Sequence, residues 1–306
     1  MSLTESEHQD LLRAGAQRWG LNGSALALPQ AHFITVNGLR FRYLDWGGTA
    51  TLRPILLLHG GGLNAHAWDL VCLGLRQQWH CLALDARGHG DSEWSVSADY
   101  SIDAHLADAR AFLDHLQMAQ VALVGHSMGG FTSIRLAAQQ PQQVAALTIV
   151  DVGPEPRDEG TKQMRSFVGQ GDDFASLDDA VRKVIEYSPK RNPDSVRRTL
   201  KLSLRQVDDS RWRWKYDPAR YGQLRTERYR QDRLALWNDL RQVTCPAQVI
   251  RGEKSQIFLQ EDAERVAAAL PNGRWIGAPG AGHNVHSENP RVIIDSVREL
   301  LTRVGY

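Results

Sequence analysis

Five short apolar runs, at residues 55–58, 81–84, 121–124, 146–150 and 247–250, constrain this chain more than any other feature it has. Each is shorter than an ordinary helix and nearly continuous in apolar residues, so as a strand it would be buried on both faces. Helices packed on both sides of a largely parallel sheet provide that burial. The intervening stretches agree: residues 105–116 and 131–138 place apolar side chains at three- and four-residue intervals, as one face of an amphipathic helix requires. Ahead of the runs, residues 32–36 and 39–46 alternate around Asn37-Gly38, a dipeptide suited to a two-residue hairpin turn. The expectation is an α/β fold whose mostly parallel, doubly wound sheet begins with an antiparallel hairpin.

The rhythm breaks once. Between about residues 153 and 240 there is no buried-strand run, only charged helix-like segments and the aromatics Trp212, Trp214, Tyr216, Tyr221 and Tyr229. An insertion of that length reads as a helical lid placed after the sixth strand. The 306 residues then divide into a helical N-terminal extension (1–31), a core (32–152 and 241–306) and the lid (153–240). A net charge of +1 lacks the basic excess of a nucleic-acid binder. No stretch approaches the ~20 apolar residues that would cross a bilayer, and the acidic, polar start does not read as a secretory signal. Cys72, Cys81 and Cys245 are odd in number and without metal-ligand spacing, which points to reduced core thiols and to the cytoplasm.

The chemistry is signalled by Gly125-His126-Ser127-Met128-Gly129, a G-x-S-x-G sequence directly after the run at 121–124 and before a helical pattern. In that context the small residues let the chain turn sharply and hold Ser127 at the mouth of the sheet, beside the N–H groups that open the next helix. The alternative, a serine that merely packs, does not account for the strand before and the helix after.

With this motif in place, the chain resembles the alpha/beta-hydrolase superfamily from about Phe33 to its C-terminus, and is similar to small bacterial cofactor-free carboxylesterases. Three more segments carry the resemblance in the expected order. His59-Gly60-Gly61-Gly62 matches the oxyanion loop, which implies that the backbone N–H groups of Gly61 and Met128 bind the oxyanion. Asp85-Ala86-Arg87-Gly88-His89-Gly90-Asp91-Ser92 looks like the family's D-x-R-G-x-G-x-S loop, implied to be structural. Gly280-Ala281-Gly282-His283 resembles the loop that delivers the catalytic histidine, so His283 is the implied base, with His286 and His126 as weaker competitors.

The orienting acid departs from the family pattern. Its usual place after a glycine beyond the seventh strand reads Gly252-Glu253-Lys254-Ser255-Gln256, with Ser255 and Gln256 at the two positions a carboxylate would occupy. Asp151, at the end of the run at 146–150, is the preferred acid, because ligand sites of this architecture form at the carboxyl ends of strands. Glu253, reaching from a shifted turn, is the alternative.

The resemblance implies a serine hydrolase that cleaves carboxylic esters of small molecules through an acyl-enzyme, with no metal and no organic cofactor. Trp212, Trp214 and Tyr216 alternate and either line the acyl pocket or pack the lid. Two other functions stay open on the same fold: a hydrolase of carbon–carbon bonds in diketones, and a non-catalytic ligand receptor. Oligomeric state cannot be read from the sequence.

Overall fold

The structure is a computed structural model that describes residues 3–21, 26–47, 52–155, 173–187, 193–208, 211–224 and 226–306. Its centre is a sheet of eight strands: β1 (Gln30–Val36), β2 (Leu39–Asp45), β3 (Pro54–Leu58), β4 (His80–Leu84), β5 (Val121–His126), β6 (Val144–Val150), β10 (Ala247–Gly252) and β11 (Gly273–Ala278). They lie side by side in the order β1-β2-β4-β3-β5-β6-β10-β11. β1 pairs antiparallel with β2, and β2 with β4; every later pairing is parallel. The expected hairpin turns at Asn37 and Gly38, both at positive φ (50° and 75°), as a primed two-residue turn demands.

The apolar runs lie in the buried middle of this sheet, and their alternate residues supply two separate cores. Leu56, Leu58, Val121 and Leu123 face one side, under the helices Ile102–His115, Met128–Gln139, Glu227–Gln242 and Gln260–Ala269. Ile55, Leu57, Ala122 and Val124 face the other, under Glu5–Arg18, Asp69–Leu75 and Pro290–Arg303. Helix Glu5–Arg18, whose sequence carries no sign of its role, is therefore part of the second core. It is capped by a Thr4–Glu7 box, buries Leu12 and Ala16, and is pinned by His8 Nε2 against Asp69 Oδ2 at 2.7 Å.

After β6 the insertion holds helices Leu177–Tyr187 and Pro193–Ser203. It also holds a small antiparallel sheet of β7 (Asp173–Phe174), β9 (Trp212–Trp214) and β8 (Leu204–Gln206), in that order. These enclose their own core of Phe174, Val184, Val196, Leu200, Leu204, Trp214 and Tyr216. The insertion docks on the 85–92 loop: Asp217 N donates to Gly88 O at 2.8 Å, and Lys215 pairs with Asp91 at 2.9 Å. Helix Glu227–Gln242 packs instead with the main core, where Leu236 and Leu240 are fully buried. Among the described residues no helix is long and apolar enough to cross a membrane. Cys72, Cys81 and Cys245 are buried free thiols.

Candidate active site

The turn from β5 into helix Met128–Gln139 puts Ser127 at φ 50°, ψ −114°, a region that a side chain with a Cβ rarely occupies. The surroundings hold it there: Ser127 N donates to Val150 O at 3.1 Å, Ser127 O accepts from Gly130 N at 2.9 Å, and Gly129 N donates to His59 O at 3.1 Å. The motif's glycines are required by close approach. A methyl group at Gly125 would run into Gly129 O and Ser133 Oγ, and one at Gly129 into Leu58 O. Ser127, Gly61 and His283 are all half-buried. The N–H groups of Gly61 and Met128 have no acceptor among the described residues. That leaves two backbone donors free beside Ser127, one of them in the first turn of a helix.

His283 follows β11 on the loop expected for it. Its Nδ1 lies 2.8 Å from Asp151 Oδ2, and its carbonyl accepts from His126 Nε2 at 2.9 Å. Asp151 sits one residue past β6 at φ 51° and is fully buried. Its Oδ1 accepts from Gly252 N at 2.8 Å, and Oδ2 accepts from Ser255 Oγ at 2.6 Å as well as from His283. Ser255, at one of the positions where the family pattern puts a carboxylate, is thus the donor that steadies a carboxylate arriving from the neighbouring strand. Glu253 is exposed, with its carboxyl over Gly277 of β11, and it makes no hydrogen bond with His283. Of the two candidate acids, only Asp151 meets His283. Among the described residues Ser127 Oγ makes no hydrogen bond with His283; in ligand-free sites such contacts are often long.

The competing histidines are buried and held neutral. Burial pushes His286 down to about 3, with the nearby His283 and His59 adding to it, and it pushes His126 well below its ordinary value, again with His283 adding to it. Their rings pack, tilted, around the His283 loop: His126 is 4.6 Å from His283 and 4.8 Å from His286, centroid to centroid.

The Asp85–Ser92 loop acts as a brace. Fully buried Asp85 pairs with Arg42 at 2.9 Å and accepts from Ala65 N and Asp91 N, while Ala86 N donates to His59 Nε2 at 3.0 Å. These bonds support the His59–Gly62 segment from behind. Trp214 and Tyr216 are buried in the insertion's own core with their rings stacked at 5.8 Å, and Trp212 is half-buried beside them. Tyr216 also bridges to His89, so it stands at the seam with the main core. One further residue carries no signal in the sequence. Arg220, hidden in an arginine-rich stretch, lays its guanidinium on Gly61, where a methyl group would come within 2.5 Å of a terminal nitrogen.

Comparison with known proteins agrees with this architecture. Residues 53–290 match the family described as alpha/beta hydrolase fold. The chain is 32% identical to the esterase Rv0045c of Mycobacterium tuberculosis over 98% of this chain and 97% of that one. A crystal structure of that esterase superposes with a TM-score of 0.74, covering 95% of this chain and 96% of the other at 30% identity. An alpha/beta hydrolase from Novosphingobium aromaticivorans superposes at 0.77, covering 91% and 100% of the two chains at 27% identity. The fold is also shared, at 20% identity and a TM-score of 0.78, with an E-2-(acetamidomethylene)succinate hydrolase, over 90% and 99% of the chains.

Proposed function

The chain belongs to the alpha/beta-hydrolase family and is an esterase-like hydrolase, and from that premise we propose that it cleaves carboxylic esters of small molecules through a Ser127 acyl-enzyme. The observation that carries this reading is the fully buried carboxylate of Asp151, 2.8 Å from His283 Nδ1 and fixed on its other side by Gly252 N and Ser255 Oγ. A carboxylate held so firmly keeps the imidazole in the tautomer whose Nε2 is free to take a proton, and it stabilises the imidazolium that results.

In this reading Ser127 Oγ attacks the ester carbonyl as His283 takes its proton. The oxyanion is bound by the N–H groups of Met128 and Gly61. His283 returns the proton to the departing alcohol, and water then cleaves the acyl-enzyme with the same base. The elbow presents Ser127 at a φ that costs of order 1–3 kcal/mol, a strain supported by its hydrogen bonds and by the absence of side chains at Gly125 and Gly129. The described part of the 153–240 insertion serves as the lid, with the Glu227–Gln242 helix as its anchor on the core and Tyr216 bridging to His89 at the seam. The buried, unpaired thiols fit residence in the cytoplasm.

The test is turnover of 4-nitrophenyl butyrate by the wild type and by Ser127→Ala. Loss of at least about 10³-fold in kcat with the fold intact is expected. A variant that keeps kcat within tenfold of wild type refutes Ser127 as nucleophile. A wild type that binds but never turns over esters, while it cleaves a vinylogous diketone or nothing at all, refutes the ester reading.

A further inference from the structure

Arg220 is only 5% exposed, with no ion pair among the described residues. Its Nε has no hydrogen-bond partner, and the guanidinium lies against the adjacent Tyr221, 5.5 Å from the ring centroid and beside its buried hydroxyl. Burial raises the Tyr221 phenol above its ordinary value, and the neighbouring guanidinium opposes that rise.

A guanidinium keeps its charge at any physiological pH, and removing a charge from water without a counter-ion is costly. Among the described residues no carboxylate forms an ion pair with it. The three imidazoles that feel Arg220 most, His59, His89 and His105, are fully enclosed and pushed down, first by their burial and then by charges that include Arg220's own, so they stay neutral. Two carboxylates of the same region are already paired with arginines, and a third is oriented by neutral donors. Asp85 is taken by Arg42 and two backbone N–H groups, and Asp108 by Arg87. Asp217, on Arg220's own turn, accepts from the Tyr100 hydroxyl and from Ala219 N.

The position of this cation is specific. Its terminal nitrogens lie on Gly61, and a methyl group on the preceding Gly60 would meet the His126 ring at 2.6 Å and Ser127 Cβ at 3.2 Å. Arg220 therefore reaches from the insertion onto the half-buried 59–62 loop, next to the glycine that lies against Ser127.

We propose that Arg220, with the Tyr221 hydroxyl beside it, binds a carboxylate carried by the substrate, so that the preferred esters are half-esters or esters of carboxylate-bearing alcohols, held with the anion a few carbons from the scissile bond. The proposal deepens the esterase reading and rests on it. A planar fork of N–H donors matches a carboxylate in two-point contact, and the low-polarity walls strengthen that contact. The incoming anion supplies the ion-pair partner that no described residue provides.

The experiment compares mono-4-nitrophenyl adipate with 4-nitrophenyl hexanoate, and 4-acetoxybenzoate with phenyl acetate, for wild type, Arg220→Gln and Arg220→Lys. In wild type at least one acidic ester should exceed its neutral partner by tenfold or more in kcat/KM; which pair does so identifies whether the anion sits on the acyl or the alcohol side. Arg220→Gln should lose at least tenfold more on that acidic ester than on its neutral partner, mainly through KM, with Arg220→Lys recovering part of the difference. Equal loss on both members of a pair, or none on either, overturns the proposal in favour of a purely structural arginine. Calorimetric binding of adipate to wild type and to Arg220→Lys keeps the test independent of turnover and of the folding of Arg220→Gln. Weakening of at least fivefold supports the site, and equal affinity or no binding to wild type refutes it. Failure of wild type to hydrolyse any ester, with adipate binding intact and sensitive to Arg220, would defeat the esterase reading and leave the anion site standing.

Discussion

Replacing Asp151 by Asn is the sharpest probe of the site because the structure leaves the new amide only two orientations. If its oxygen stays on Gly252 N, now 2.8 Å from Oδ1, its NH₂ faces Ser255 Oγ and His283 Nδ1. The serine hydroxyl can turn to accept, but His283 is forced to accept at Nδ1 and so to carry its proton on Nε2, where it cannot deprotonate Ser127. If the amide flips, its NH₂ opposes the N–H of Gly252 in a fully buried place, leaving two unsatisfied donors at about 1–3 kcal/mol each. The first orientation wins, and the penalty is the wrong tautomer. In a Ser-His-Asp triad that error is worth about 10⁴ in kcat, or about 5 kcal/mol at 1.36 kcal/mol per decade. With 4-nitrophenyl butyrate, Asp151→Asn should lose about 10³–10⁴ in kcat while KM stays within about threefold. Glu253→Gln, whose side chain lies over Gly277, should stay within about twofold of wild type in both constants. A folded Asp151→Asn that keeps kcat within tenfold of wild type, or a hundredfold loss in Glu253→Gln, refutes the assignment of the acid.

Ser255→Ala removes one of the three bonds to Asp151 and should lower kcat by about 10-fold, in keeping with the 1.5–3 kcal/mol of a hydrogen bond to a charged group; unchanged kcat would show that Gly252 N and His283 suffice. Acid should destabilise the protein through its buried histidines. His59, His89, His105, His126 and His286 all have folded-state values below the ordinary 6.5, so the unfolded chain binds their protons first and stability falls as pH drops below 6.5, down to about 3 for His286. His286 contributes a slope approaching about 1.4 kcal/mol per pH unit in that window, and the other four act in the same direction; urea unfolding at pH 7.5, 6.0 and 5.0 would read it, and a flat profile would contradict neutral burial. Leu12→Ala, in the N-terminal helix, should cost about 2–5 kcal/mol in urea unfolding, because Leu12 is fully enclosed in the second core. A loss below 1 kcal/mol would mean the helix is dispensable.

Elements whose meaning is local are legible in the amino-acid sequence. The apolar continuity of residues 55–58 and 121–124 is enough to place a strand under helices on both sides, because the pleat sends neighbours to opposite faces. Asn37-Gly38 similarly announces its own turn. The Ser127 elbow is local too, since the residues that permit its backbone lie within two positions of it. The insertion is harder. Its strands have two or three residues each, too few to show a period, so β7, β8 and β9 cannot be told from the charged helices around them. Trp214 and Tyr216 read equally as pocket or packing in the sequence; their stacking in the insertion's own core depends on contacts that no local pattern shows.

The sequence by itself determined that this chain would wind helices about a parallel sheet and expose a serine at the end of its central strand. It also determined that His283 would follow the last strand on a glycine-rich loop. Only the tertiary structure decided which carboxylate meets that histidine. The parallel register of β6 with β10, pairing Val150 with Ile250, carries Asp151 to Gly252 N and Ser255 Oγ, and β11 beside them brings in His283. In the same way only the docking of the insertion on the 85–92 loop sets Arg220 on Gly61. Periodicity and motif report what a residue can do where it stands; pairing across strands and between packed layers depends on register and closure, which no single segment of the chain encodes.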